Sequence, residues 1–148
     1  MYELIFSMAS MISILGWITL ALSPLAPTWA DRIAGWLLPS VLAMLYVGLA
    51  VWAPPEDGGF GSLAEVGTLF SFPGALLSGW IHFLAFDLVV GAWVCRVARR
   101  RKLQFWLVLP CLPVVFLFGP AGLLMFAVVL AGAESARRVR ARRSHRLA

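Results

Sequence analysis

Apolar residues run in four long blocks, 4–23, 33–53, 75–95 and 103–131, separated by short polar, proline-rich or basic stretches. A helix rises about 1.5 Å per residue, so about 20 residues cross a hydrocarbon core about 30 Å thick, and each block reaches that length. None alternates apolar and polar positions as a barrel strand would, and a helix satisfies its own backbone hydrogen bonds in lipid. The pattern predicts an all-α integral membrane bundle of four transmembrane helices. The connection at 24–32 is short and carries Pro24 and Pro27, making the first two helices antiparallel neighbours. The next runs from Pro54-Pro55-Glu56-Asp57-Gly58-Gly59 to Pro73-Gly74, and within it Phe60, Leu63, Val66, Gly67 and Phe70 recur at helical spacing. That spacing predicts a short amphipathic helix lying in the interface between the second and third spans.

The fourth block is long and carries Pro110, Pro113 and Phe118-Gly119-Pro120, any of which can kink or break a helix. Two topologies follow. A re-entrant hairpin turning at Gly119-Pro120 gathers all 12 Lys and Arg on one side, opposite Glu3, Glu56, Asp57 and Glu65. Each arm then has only about 14 to 16 residues, roughly 21 to 24 Å, which is short for a full crossing. Length therefore favours the other topology, one long, proline-broken, tilted crossing. The expected organisation is a single transmembrane domain over 1–136 followed by an arginine-rich tail over 137–148.

Composition agrees with lipid as the solvent. Of 148 residues 61% are hydrophobic and 13% charged, against about 45–50% apolar in soluble domains, which excludes an ordinary soluble enzyme. The net charge of +5 comes from basic runs at 96–102 and 137–146, with Arg32 the one basic residue elsewhere. Lys and Arg favour the cytoplasmic side and its anionic leaflet, so loop 96–102 is expected in the cytoplasm and nucleic acid is not an expected partner. The first block lacks a basic leader, and Thr28-Trp29-Ala30 makes a poor cleavage site, so it reads as a retained span. Cys95 and Cys111 lie at or inside apolar segments and read as small buried thiols, not as a disulfide or metal set. Trp29, Trp36, Trp52 and Trp106 fall near span ends, where tryptophan anchors the interface.

Within the four blocks the acid and imidazole groups are Asp87 and His82, both in the third helix. A carboxyl near the bilayer midplane costs about 2.5 to 3.5 kcal/mol on insertion scales and marks a site or pathway inside a bundle. The two residues stand about 7.5 Å apart along the axis and roughly 140° apart around it, so they reach different neighbours or opposite parts of one ligand. Apolar surroundings favour a neutral carboxylic acid and a neutral imidazole, which suits general acid and general base work. The alternative is that both are packing groups bonded to Ser, Thr or Trp on adjacent helices. Ser7, Ser10 and Ser13 make a polar stripe that reads as a packing seam. Tyr46 could hydrogen-bond into the bundle, and Trp17, Trp80 and Trp93 could flank a flat conjugated ligand. The other histidine, His145, lies in the tail, so a bis-histidine haem is not expected. No metal, phosphate-loop or nucleophile motif is present, and no cofactor is expected.

Two stretches carry a resemblance: Gly79-Trp80-Ile81-His82-Phe83-Leu84-Ala85-Phe86-Asp87-Leu88, and Phe118-Gly119-Pro120-Ala121-Gly122-Leu123-Leu124. With them the chain resembles the abscisic-acid-deficient-like membrane proteins over roughly residues 4 to 131. Plant members of that family are linked to neoxanthin synthesis from violaxanthin. The arginine-rich tail and the lack of a transit peptide make this chain look like a bacterial relative, of the inner membrane. The resemblance places His82, Asp87, Gly119 and Pro120 on characteristic positions, the last two as structural residues. It implies a carotenoid or related isoprenoid ligand, held lengthwise in a groove lined by Tyr46, Trp80, Phe83, Phe86, Gly91 and Trp93. It also implies a non-redox, isomerase-type opening of an epoxide to an allenic alcohol, with Asp87 as acid and His82 as base. Two other functions stay open: a carotenoid-binding or assembly partner of another membrane enzyme, and a small proton-coupled transporter built on Asp87.

Overall fold

A computed structural model describes the backbone of residues 1–147, with side chains through 138 and at 142. Every regular element among the described residues is helical: α1 (Tyr2–Ala21), α2 (Pro27–Arg32), a π-helical turn (Ile33–Leu37), α3 (Leu38–Trp52), α4 (Leu63–Ser71), α5 (Pro73–Arg100), α6 (Phe105–Val108), α7 (Cys111–Phe118) and α8 (Pro120–Leu147). The second apolar block is helical from Pro27, six residues before the predicted start at 33, so most of the expected 24–32 loop is helix. Proline suits a first helical position, where its missing N–H costs nothing. Asp31 on this added turn pairs with Arg99 of α5. The π turn has a local cause in Pro39, which cannot donate to the carbonyl of Gly35 and whose ring crowds it; widening the backbone over Ile33–Leu37 relieves both.

α5 is the hub, with half of its most apolar window buried inside the molecule. α1 runs parallel to it, bringing Ser10 to Trp80, Gly16 to Leu88 and the Trp17 ring to Gly91. α3 runs antiparallel, with Gly35 at Ala92, Tyr46 at His82 and Ala53 at Gly74. Small residues make these approaches close: a Cβ on Gly91 would stand 2.7 Å from the Trp17 ring. One buried cluster, including Leu88, Ala92, Cys95, Cys111 and Phe126, fills the half of the bundle nearest Arg100, and another, including Ala9, Leu42, Ile81 and Leu84, fills the half nearest Pro73. Both cysteines are buried and free. Large apolar side chains such as Met11, Ile18, Met44, Val51 and Leu124 face outward. Tyr2–Ala21, Pro27–Trp52, Pro73–Arg100 and Pro120–Arg138 are each long and apolar enough to cross a membrane.

A short helix forms in the expected segment, with Leu69, outside the predicted apolar stripe, as its buried residue. Ser62 caps α4, accepting from the Glu65 N–H at 3.2 Å, and the Glu65 carboxylate accepts from the Gly61 N–H at 3.0 Å. α4 buries Leu69 and lays Phe70 against Gly79 of α5, while Phe60 and Leu63 stay exposed.

The fourth block departs from the expected single proline-broken helix and folds as a helical hairpin. α6 and α7 run back from the end of α5, the chain reverses at Gly119, and α8 returns beside them. The reversal needs glycine twice: φ is +22° at Gly119, and a Cβ on Gly122 would collide with the Val115 backbone. Arg101 Nη1 donates to Glu134 Oε1 at 2.8 Å, and Arg137 donates to the carbonyls of Arg101 and Lys102 at 2.6 Å each, so both arms end beside the end of α5. The length argument failed because the tip stops at Asp87, about midway along α5. From 87 to 101 is about 21 Å at helical rise, which arms of this length span. Arg32, the 96–102 cluster and Arg137 thus share one end of the molecule, and Glu3, Glu56, Asp57 and Glu65 share the other. α8 continues unbroken across the expected boundary at 136. The side chains at 139–141 and 143–148, His145 among them, lie outside the described residues.

Candidate functional site

α3, α4, α5 and the connection after α3 enclose a cleft of about 420 Å³ that opens sideways from the bundle. Tyr46 and Ala50 form one wall, Ser78, Gly79 and His82 the other, and Phe60, Leu69 and Phe70 the end. Gly79 makes the end tight, since a Cβ there would stand 2.6 Å from the Phe70 ring. His82 is exposed into this space and stacks on Phe86, with ring centroids 4.5 Å apart and planes at 26°. The Tyr46 ring lies 5.8 Å away, tilted. No described group hydrogen-bonds the imidazole, so both ring nitrogens stay free for a ligand in a cleft whose other polar side chains are Tyr46 and Ser78.

Asp87 is placed elsewhere. It is 8% exposed, and its Oδ1 lies 2.8 Å from where a Gly119 Cβ would stand, so the carboxyl packs against the hairpin tip. Oδ2 is buried without a hydrogen-bond partner, as are Ser13 Oγ and Trp17 Nε1 on α1. His82 and Asp87 therefore occupy separate surroundings on opposite sides of α5. Trp80 donates to Ser10 Oγ at 3.3 Å, stacks with Phe83 and has the Phe6 ring tilted against it. This strip borders a cleft of about 380 Å³ between α1 and α5, around Tyr2, Glu3 and Phe6. Gly91 is covered by Trp17 and Leu20, and Trp93 stands edge-on to Phe126.

The residues singled out from the sequence thus divide. Tyr46, His82 and Phe86 come together, Trp80 and Phe83 lie on the adjoining face, and Asp87, Gly91 and Trp93 take part in helix packing. Sequence reasoning missed Phe60, Phe70 and Gly79 as parts of the cleft. The periodicity of the α4 segment was a signal for the first two, because an amphipathic helix beside a span has to cover something.

These features define a multi-pass helical membrane protein with a lateral, mostly apolar cleft and one imidazole in it. Residues 4–126 match the family described as ABA DEFICIENT 4-like, and the chain belongs to that family. The matched stretch contains most of α1, the helix that bears His82 and Asp87, and the hairpin tip. Comparison with curated proteins and with solved structures gives no match.

Proposed function

We propose that the protein holds the end ring of a carotenoid or related long isoprenoid in the cleft between α3, α4 and α5 and acts on it there. The observation that carries this reading is His82: an imidazole without a protein partner, stacked on an aromatic ring in an apolar cleft that opens sideways. Membership of the family supports the substrate class. The ring enters from the lipid and the polyene leaves through the open side. By the bias of basic residues, the end with Arg96 to Lys102 faces the cytoplasm.

Opening an epoxide to an allenic alcohol needs a proton delivered to the oxygen and another removed from a neighbouring carbon. The titratable pair facing the cleft is Tyr46 and His82, so Tyr46 protonates the epoxide oxygen as the C–O bond breaks, and His82 takes the carbon-bound proton as the new double bond forms. Passing that proton from His82 back to Tyr46 restores both groups, with no net redox change. Asp87 serves as a positioning residue for the hairpin tip.

The test is expression in a host that makes hydroxylated and epoxidised carotenoids, with purification in mild detergent. Wild type should retain pigment and yield a new isomer. His82→Ala and Tyr46→Phe should each lower its formation by about 10²-fold or more, the usual scale for losing a general acid or base. Asp87→Asn should still form it. Unaltered pigment bound to wild type would reduce the function to carriage, and a well-folded Asp87→Asn protein without product would return the acid to Asp87.

A further inference from the structure

A second cleft, of about 290 Å³, lies on the same α3–α5 seam nearer the basic end. Trp36, Ser40 and Ala43 line one side, Phe86, Val89 and Arg96 the other. Phe86, stacked on His82, divides it from the first cleft. Arg96 is its one charged side chain, and the π turn shapes its upper end: at Gly35 a Cβ would stand 3.0 Å from Arg96 Nη1.

Arg96 combines two features: it has no acidic partner, and it is half-buried in the cleft, whereas Arg100 and Lys102, also without one, are exposed. Arg99 pairs with Asp31, Arg101 pairs with Glu134, and Arg137 bonds two carbonyls. All seven Asp and Glu side chains are described, and none pairs with Arg96, which is half-buried. A half-buried guanidinium without a counter-ion is open to an anion, and its planar fork matches the oxygens of a phosphate. From Arg96 to Phe86 is ten residues, about 15 Å at helical rise, which equals one leaflet of a hydrocarbon core about 30 Å thick. Trp36, exposed beside Arg96, is the residue type that sits at headgroup level.

We propose that this cleft binds one anionic glycerophospholipid of the basic-end leaflet. The phosphate lies on Arg96, and one acyl chain follows the seam down to Phe86. The site goes beyond the isoprenoid reading and stands without it, so protein from a host that makes no carotenoid is the sample for its test.

Purified full-length protein is titrated with dioleoylphosphatidylglycerol and, separately, with the phosphatidylcholine of the same chains, and occupancy is read by native mass spectrometry. Wild type should hold one phosphatidylglycerol at least about tenfold more tightly than phosphatidylcholine, the scale of a charge-assisted contact. Arg96→Gln should lose about tenfold, and so should Ala43→Trp, which fills the seam and leaves the charge. Arg100→Gln, exposed outside the cleft, should change affinity less than about threefold. Equal affinity for the two lipids in wild type overturns the proposal with no variant needed. Undiminished binding in Arg96→Gln or Ala43→Trp overturns it too, since the lipid would then sit on the basic surface at large. Displacement of the lipid by millimolar inorganic phosphate would also overturn it, leaving a headgroup-only site.

Discussion

A Cβ at Gly119 would stand 2.8 Å from Asp87 Oδ1 and force the carboxyl to shift, and the positive φ there disfavours a side chain independently. Gly119→Ala should therefore destabilise the fold by about 2 kcal/mol, read from thermal unfolding in detergent. Part of that loss should return in the Asp87→Ala, Gly119→Ala double variant, because the clash is between the two; strict additivity would mean that backbone strain alone is responsible. Asp87→Asn should be no less stable than wild type, since it removes an ionisable group whose buried oxygen has no hydrogen-bond partner to support a charge. The sequence singled out His82 and Asp87 by their isolation in an apolar block, and their spacing of five already set them on different sides of a helix. Their separate surroundings were not legible. Asp87 meets a turn more than thirty residues further on, and no local pattern announces which way that turn faces.

At the scale of elements, the hairpin is closed by packing more than by charge. Gly122→Val puts a side chain into the Val115 backbone and should cost about 2 to 3 kcal/mol, the usual range for overpacking. Glu134→Gln removes an exposed ion pair and should cost at most about 1 kcal/mol in the same melts. A reversed order of these two would show that the Arg101 clasp holds the arms together. Hydrophobic blocks gave α1, α5 and the amphipathic α4 to within a few residues, because a helix in lipid must be long and continuously apolar. They missed the early start at Pro27, where a polar turn is held by the Asp31–Arg99 pair. They also misjudged the last block, because length counts against a hairpin only if each arm has to cross the whole bilayer. The charge distribution held the better clue, since only the hairpin puts the basic residues together.

For the whole molecule, the hairpin fixes which ends lie together. Single cysteines at Lys102 and Arg138, introduced into a chain whose Cys95 and Cys111 are replaced by Ala, should react with a membrane-impermeant maleimide from the same side of sealed vesicles. One at Glu56 should react from the opposite side. Labelling of positions 102 and 138 from opposite sides would restore the single crossing. The hairpin also has a consequence for how the chain could be divided. Both of its arms enter and leave at one face, and the join to α5 is a turn at Lys102 with φ of 51°. Residues 103–147 therefore never have to be threaded past the preceding helices, and a gene cut after Lys102 should yield two polypeptides that find each other in the membrane, a threaded frame and a plug inserted from one side.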